Sequence, residues 1–478
     1  MGSRKEKVLQ FGEGAFLRAF VDWMIDELNE KCAFDASVTV IKPRAGDFAE
    51  NVVASGGAFT ACFRGIKNAE RVEQTRRVTC TTRFLRSVED YEEYIHCAHN
   101  PDLRFVVSNT TEAGIAYNAG DTLCDTPQKS FPAKVTAFLY ERFKHFNGEA
   151  NKSLVFLPCE LNEKNGTMLK SIILRYAKEW QLGDTFISWA SEKCIFCDTL
   201  VDRIVSGLQD GMVVAEPFHL WVIQAPSPEV RAALQKELPF EKAGLNVVWT
   251  DDLDFYRKRK VRILNGAHTA LVPAAYQAGI DIVADCLNEP SVNDFLHRAL
   301  FAEIIPALDD GDNAATSARN SHDTSSVDES SSFAHDVLER FANPFIKHQL
   351  SSIALNSVAK FNVRVLPSII DYMKLTGAVP QVLSCSFAAL ISFYRGVRSN
   401  GSVYTCQDDA AVLERFKAIF AHNSNDCDEI VNAVFAESWW TSDSDIAHNG
   451  KLKEAVKRYL AIILQDGIMA AIQAAIAA

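Results

Sequence analysis

Apolar and polar positions divide the chain into two stretches of different rhythm. In the first, short apolar runs bounded by turn residues read as buried strands, at Lys7–Phe11, Ser37–Ile41, Arg104–Ser108 and Ser153–Leu157. Around them apolar residues recur at helical spacing: Phe16, Phe20, Trp23 and Leu28, then within Ala133–Phe146 and Gly166–Gln181. Strands alternating with helices predict an α/β domain with a mostly parallel sheet. Beyond residue 250 the strand signals fade, and Asp252–Gly279, Val292–Leu308, Ser332–Ala342, Pro380–Tyr394 and Asp408–His422 read as helices. The pattern therefore predicts an N-terminal α/β domain over 1–255 and a mainly α-helical domain over 256–478. Asp309–Ser332, rich in Asp, Ser and Asn, reads as a long surface loop between helices.

Composition adds exclusions. A chain of 478 residues exceeds the usual single-core limit, which agrees with two domains. A net charge of −12 argues against nucleic acid or an anionic membrane as partner, so an anionic small substrate would need a local basic pocket. The 12 cysteines are scattered, apart from Cys194-Ile-Phe-Cys197, which lacks a partner pair at zinc-finger spacing; no metal is expected. The charged opening and the shortness of the apolar tail Ile468–Ala478 predict a cytoplasmic protein with no membrane span. Oligomeric state is not legible.

The densest chemistry lies in Lys260-Val-Arg-Ile-Leu-Asn265-Gly-Ala-His268, where an amine, an amide and an imidazole follow a basic run. Arg257, Lys258, Arg259 and Arg262 surround Lys260, and like charges at that range favour a neutral amine, suited to exchanging a proton with an alcohol or carbonyl oxygen. Asn265 and His268 are three apart, hence neighbours roughly 5–6 Å apart on a helix, able to grip one oxygen. Lys260 lies about 12 Å from His268 along a straight helix axis, so convergence needs a long arm or a bend, which Gly266 or Pro273 could supply.

At the other end of the chain, Gly12-x-Gly14 follows the first strand and opens a helix, as in the turn that brings backbone amides against a dinucleotide pyrophosphate; Leu17 stands at the third glycine position. This makes the first domain Rossmann-like. Its second strand ends in Lys42-Pro43-Arg44 rather than the acid that binds the adenosine ribose of NAD, and a cationic end suits the 2′-phosphate of NADP. Asn109, just after a strand, is the best candidate there for a ribose or amide contact, although Ser108–Ile115 also makes sense as a plain turn.

The segment Lys260-x-Arg262-x-Leu264-Asn265-x-x-His268, together with Gly12-x-Gly14-x-Phe16-x-Arg18-Ala19, resembles the long-chain polyol dehydrogenases typified by mannitol dehydrogenase. Ser108–Ile115, Phe131–Lys134, Leu157–Leu161 with Asn165-Gly166, Cys197–Val205 and Glu216–Ile223 resemble the tagaturonate reductase (altronate oxidoreductase) branch. The resemblance implies an NAD-dependent oxidoreductase, with NADP as alternative, that transfers hydride between the cofactor and a sugar acid or polyol, foremost D-tagaturonate and D-altronate. Fructuronate reduction or a neutral polyol dehydrogenase is the runner-up, and a non-catalytic nucleotide-binding redox sensor is the alternative of another class. It implies Lys260, Asn265 and His268 as catalytic residues and Gly12, Gly14, Phe16, Arg18, Lys42 and Asn109 as cofactor-binding residues. Arg262 is the candidate for a substrate carboxylate. One departure is Leu161, where mannitol dehydrogenases carry a substrate-holding Asn; Glu160 reads as a structural acid rather than a proton shuttle.

Overall fold

The computed structural model describes residues 4–48, 55–111, 113–309, 326–422, 426–440 and 446–478. The chain divides into two compact units, one of Met1–Gly65 with Arg71–Tyr256, the other of Ile66–Glu70 with Arg257–Ala478.

The first unit is built on a six-stranded sheet. Numbered in chain order, its strands are β1 (Lys5–Phe11), β2 (Ala36–Lys42), β3 (Thr81–Arg86), β4 (Phe105–Ser108), β5 (Val155–Pro158) and β6 (Ile195–Phe196). They lie in the order β3-β2-β1-β4-β5-β6, and each neighbouring pair is parallel. That is the doubly wound arrangement in which the strand order reverses beside β1 and leaves a crevice at the carboxyl ends of β1 and β4. Both faces are covered, so the strands read as near-continuous apolar runs. Val8, Val38, Val40 and Val107 pack on one face with Leu17, Phe20 and Met24. Leu9, Phe11, Ile41 and Val106 pack on the other with Val135, Phe138 and Leu139 of helix Phe131–His145.

Two smaller sheets were not legible in the pattern. One orders Val205–Gln209, Met212–Ala215, Phe59–Lys67 and Glu70–Val78; the other orders Val247–Thr250, Leu220–Gln224 and Asp198–Asp202, and each contains an antiparallel pair. Glu70–Val78 is exposed along most of its length and charged, so it shows no apolar alternation.

The second unit is helical. Helix Gln381–Phe393 is buried from Val382 to Phe393, as befits a helix apolar on all sides. Its first amides, Val382 and Leu383, donate to the buried Glu303 carboxylate, each at 2.8 Å, which satisfies donors that a helix start leaves unpaired. The expected polar loop Asp309–Ser332 is shorter than its composition implied: residues 310–325 lie outside the described residues, but Ser326–Phe341 is one helix, started by Asp328 and Glu329 in its first turn. Among the described residues no helix is long and apolar enough to cross a membrane.

Candidate active site

The candidate residues fall into two sets, one in each unit. In the first unit the chain leaves β1 through Gly12, whose φ of +120° favours glycine. The Gly12 amide donates to the Ile41 carbonyl of β2 at 3.0 Å, and a Cβ there would stand 3.0 Å from the Asn109 carbonyl oxygen. Asn109 in turn donates its amide to Phe11 at 3.0 Å and its side-chain nitrogen to the Cys159 carbonyl at 3.3 Å. The turn is thereby clamped at the topological switch point. Leu17, at the third fingerprint position, fills the space beneath Gly12, its Cδ1 3.2 Å from where that Cβ would be.

Gly14 precedes helix Ala15–Leu17 with open space around its own missing Cβ, so a pyrophosphate could approach the backbone closely there. A cavity of about 240 Å³ lies beside it, with Gln10, Glu13, Arg18 and Asp22 among its lining. Gln10 Oε1 and Asp22 Oδ1 are buried there without a hydrogen-bond partner among the described residues, and burial pushes the Asp22 carboxyl up to about 7. Arg18 lies 4.4 Å over the Phe59 ring, and Phe16 stacks on Phe20 at 5.0 Å. Of the residues expected at the cofactor, Gly12, Gly14 and Asn109 thus frame the turn, Arg18 lines the cavity, and Phe16 packs within the fold.

Lys42 departs from its expected part. Its ammonium pairs with the Glu13 carboxylate and sits 5.5 Å over Phe48. An acid thus stands beside the end of β2, supplied from between the two glycines. The sequence could have shown this, since Glu13 stands inside the fingerprint.

Glu160 is buried and accepts from Ser108 Oγ, Thr110 N and Thr110 Oγ1, each at 2.9 Å. It braces the ends of β4 and β5, the structural part expected of it. Asn165 donates to Pro158, Glu160 and Thr199 carbonyls, and Gly166 leaves no room for a Cβ, which would stand 2.1 Å from the Cys197 carbonyl oxygen. Cys194 and Cys197 are free thiols, both pushed up to about 12 by burial.

Helix Leu253–Arg259, in which the second unit begins, runs into a π-helical turn, Lys260–Asn265, and continues as helix Gly266–Gln277. A π turn closes i→i+5 hydrogen bonds and is frequent at functional sites. Lys260 opens this turn and Asn265 closes it, so the helix is rewound between them. The irregularity lies in the π turn itself, upstream of Gly266 and Pro273. Gly266 has another use: a Cβ there would come 3.1 Å from the Arg364 carbonyl oxygen, so the glycine admits helix Ser357–Arg364 to close packing.

Asn265 is half-buried, and no partner for its side-chain amide is found among the described residues. His268 is buried, stacked on Phe341 at 4.0 Å and edge-on to His348 at 5.3 Å. Burial, then the charges of His348, Arg340 and Arg364, hold its imidazole well below the ordinary histidine value; a hydrogen bond with the Leu264 backbone works the other way. The ring is therefore neutral near neutral pH. Its Nε2 has no hydrogen-bond partner among the described residues.

Arg262 differs from expectation for a plain reason. Its guanidinium donates to Asp371 and to Ser368 Oγ, both at 2.8 Å, so the fork expected to meet a substrate carboxylate is already engaged within the fold. Phe341, His348 and Arg364 were not legible as neighbours of His268, because each lies 73 or more residues away along the chain.

Residues 6–236 match the model of the mannitol dehydrogenase Rossmann domain and residues 252–464 that of the mannitol dehydrogenase C-terminal domain. The chain belongs to the mannitol dehydrogenase family. As a member of that family it is a dehydrogenase acting on a CH–OH group. It is 42% identical over 489 residues to altronate oxidoreductase of Enterobacter sp. (strain 638), covering 98% of this chain and 96% of the relative. Against altronate oxidoreductase of Escherichia coli (strain K12) it is 42% identical over 488 residues, with the same coverage. Among solved structures, D-sorbitol dehydrogenase in substrate-free form is similar at a TM-score of 0.78 and 20% identity, covering 98% of this chain and 95% of that one. Pseudomonas fluorescens mannitol 2-dehydrogenase, in ternary complex with NAD and D-mannitol, is similar at a TM-score of 0.65 and 19% identity, covering 98% and 94%. The two structures establish the mannitol dehydrogenase fold for this chain.

Proposed function

We propose that this protein is an NAD-linked oxidoreductase of sugar acids that reduces D-tagaturonate to D-altronate. The observation that carries the chemistry is the pair of polar groups without a partner among the described residues, the Asn265 amide and His268 Nε2, on the turns that follow Lys260. The choice of substrate is supported by the near full-length similarity to the altronate oxidoreductases.

When bound, the nicotinamide supplies the hydride. Lys260, as ammonium, gives its proton to the ketose oxygen as that oxygen gains charge; in the oxidising direction the neutral amine takes the proton from the alcohol. The Asn265 amide donates to the same oxygen, a preorganised contribution of about 3 kcal/mol if its donor is aimed at the developing charge. His268, neutral and with Nε2 unengaged, accepts from a sugar hydroxyl and so orients the chain of the substrate. The Gly12–Gly14 turn, with Asn109 packed against it, would hold the pyrophosphate, and Glu13, paired with Lys42, would accept from the ribose hydroxyls, which favours NAD over NADP. The free thiols fit a cytoplasmic setting.

The test is a panel of D-tagaturonate, D-fructuronate and D-fructose as oxidants of NADH and of NADPH. Preference for tagaturonate with NADH is the expected result. Preference for fructuronate or fructose replaces the substrate, and nucleotide binding without any ketose-dependent oxidation replaces the enzyme with a sensor.

A further inference from the structure

A sugar acid presents a carboxylate as well as a ketone, and Arg262 is engaged by Asp371. Arg364 offers what Arg262 does not. It is the last residue of helix Ser357–Arg364, and its guanidinium reaches across to the neighbouring helix, where Nη1 donates to Thr269 Oγ1 at 3.4 Å. Thr269 follows His268 directly, and its hydroxyl donates to the Asn265 carbonyl at 2.8 Å. Through Thr269, Arg364 is tied to the very turn that displays Asn265 and His268. Its carbonyl also packs against Gly266 of that turn.

The guanidinium is half-buried, and among the described residues no carboxylate pairs with it. A single long bond to a hydroxyl leaves most of its five donors without an acceptor among the described residues. Two more deeply buried arginines are better provided for: Arg142 donates to four backbone carbonyls, and Arg203 donates to the Ala19 and Glu216 carbonyls. Lys360 lies four residues before Arg364 on the same helix, its ammonium donating to the Ile353 carbonyl at 2.8 Å. Like charges at i,i+4 oppose each other, and Asp408 offsets the charge of Lys360, whereas among the described residues no such acid acts on Arg364. Burial holds both groups below their ordinary values; at Lys360 the charge of Arg364 adds to this and that of Asp408 opposes it. A cation at a helix C-terminus also gains from the helix dipole, but that gain does not require a side chain reaching to another helix.

We infer that Arg364 is the residue that receives the substrate carboxylate, and that it makes this member of the family select acidic over neutral ketoses. A guanidinium fork matches a carboxylate in two parallel hydrogen bonds, and the Thr269 contact holds the fork in place beforehand. Arg364 takes no part in proton or hydride transfer; it sets where the ketone lies relative to Asn265 and Lys260. The inference rests on the sugar-acid reading above.

The experiment compares wild type, Arg364→Gln and Arg364→Lys, each with D-tagaturonate and with D-fructose, reading KM and kcat separately at fixed NADH. Loss of a charged hydrogen-bonded contact predicts that Arg364→Gln raises KM for tagaturonate, relative to its effect on KM for fructose, by roughly 10- to 100-fold. Arg364→Lys restores part of the difference, because it keeps the charge without the fork. The melting temperature and NADH affinity of each variant show that the fold persists, and Arg364→Lys stands in should Arg364→Gln fail to fold. If wild type prefers tagaturonate and both variants lose the two substrates equally or not at all, Arg364 is not the carboxylate site, while the proposed function stands. If wild type uses fructose and neither acid, the sugar-acid reading falls, and the role of Arg364 with it.

Discussion

The Lys42 ammonium and the Glu13 carboxylate form an ion pair at the mouth of the nucleotide turn, so a cation at the end of β2 is balanced by an acid from between the two glycines. Alone, Lys42 suits a 2′-phosphate; paired with Glu13, its charge is already balanced.

Glu13→Gln is therefore expected to shift cofactor preference toward NADPH, because it frees Lys42 and replaces a charged acceptor for the ribose hydroxyls with a weaker neutral one. The ratio of kcat/KM for NADPH over NADH should rise by about 10-fold or more, in line with the worth of one charge-assisted hydrogen bond. An unchanged ratio would remove Glu13 from cofactor selection.

The two glycines of the turn should respond differently. At Gly14, φ is −64° and no atom lies within 4 Å of an added Cβ, so Gly14→Ala leaves the melting temperature nearly unchanged. Its methyl group would nonetheless occupy the approach to the backbone, and NADH binding should weaken by about 10-fold. Gly12→Ala places a side chain at φ +120° and 3.0 Å from the Asn109 carbonyl oxygen, so it costs stability as well, of the order of 1–3 kcal/mol. Titration calorimetry and denaturant melts separate the two effects; loss of stability in Gly14→Ala would contradict the geometry.

Acid should act on stability through His268. Its folded-state value is depressed well below the ordinary one, so beneath about pH 6.5 the unfolded chain binds a proton that the folded chain does not. The stability tied to His268 is present above that pH and is lost as pH falls, by up to about 1.4 kcal/mol per unit. His348, also depressed by burial, adds to the slope, while Glu303 and Asp22, raised to about 7, oppose it between their ordinary values and neutrality. Comparing wild type with His268→Gln isolates one residue: the variant should show a shallower fall in urea midpoint between about pH 7 and pH 5.5. Parallel falls would mean that His268 is protonated in the fold.

Much of this architecture can be read from the chain because burial on both faces makes the β1, β2, β4 and β5 segments continuous apolar runs, and because the glycine turn marks the passage from β1 into a helix. The Lys260–His268 segment stands out in the sequence because its polar groups lie within nine consecutive residues. The features that escape are either polar or distant. Glu70–Val78 forms a strand without an apolar rhythm, and the helix from Ser326 begins in a stretch whose Ser and Asp content suggests a loop. The engagement of Arg262 by Asp371, and the openness of Arg364 beside Thr269, depend on contacts across more than ninety residues, which no local spacing encodes.

The central claim is that Lys260 exchanges the proton that accompanies hydride transfer. Steady-state turnover of tagaturonate by Lys260→Ala, measured beside NADH binding by fluorescence, tests it most directly. The account predicts a fall in kcat of at least about 100-fold with NADH affinity preserved, the usual worth of a positioned acid–base group. Turnover near the wild-type rate, at any pH where the wild type works, would contradict it.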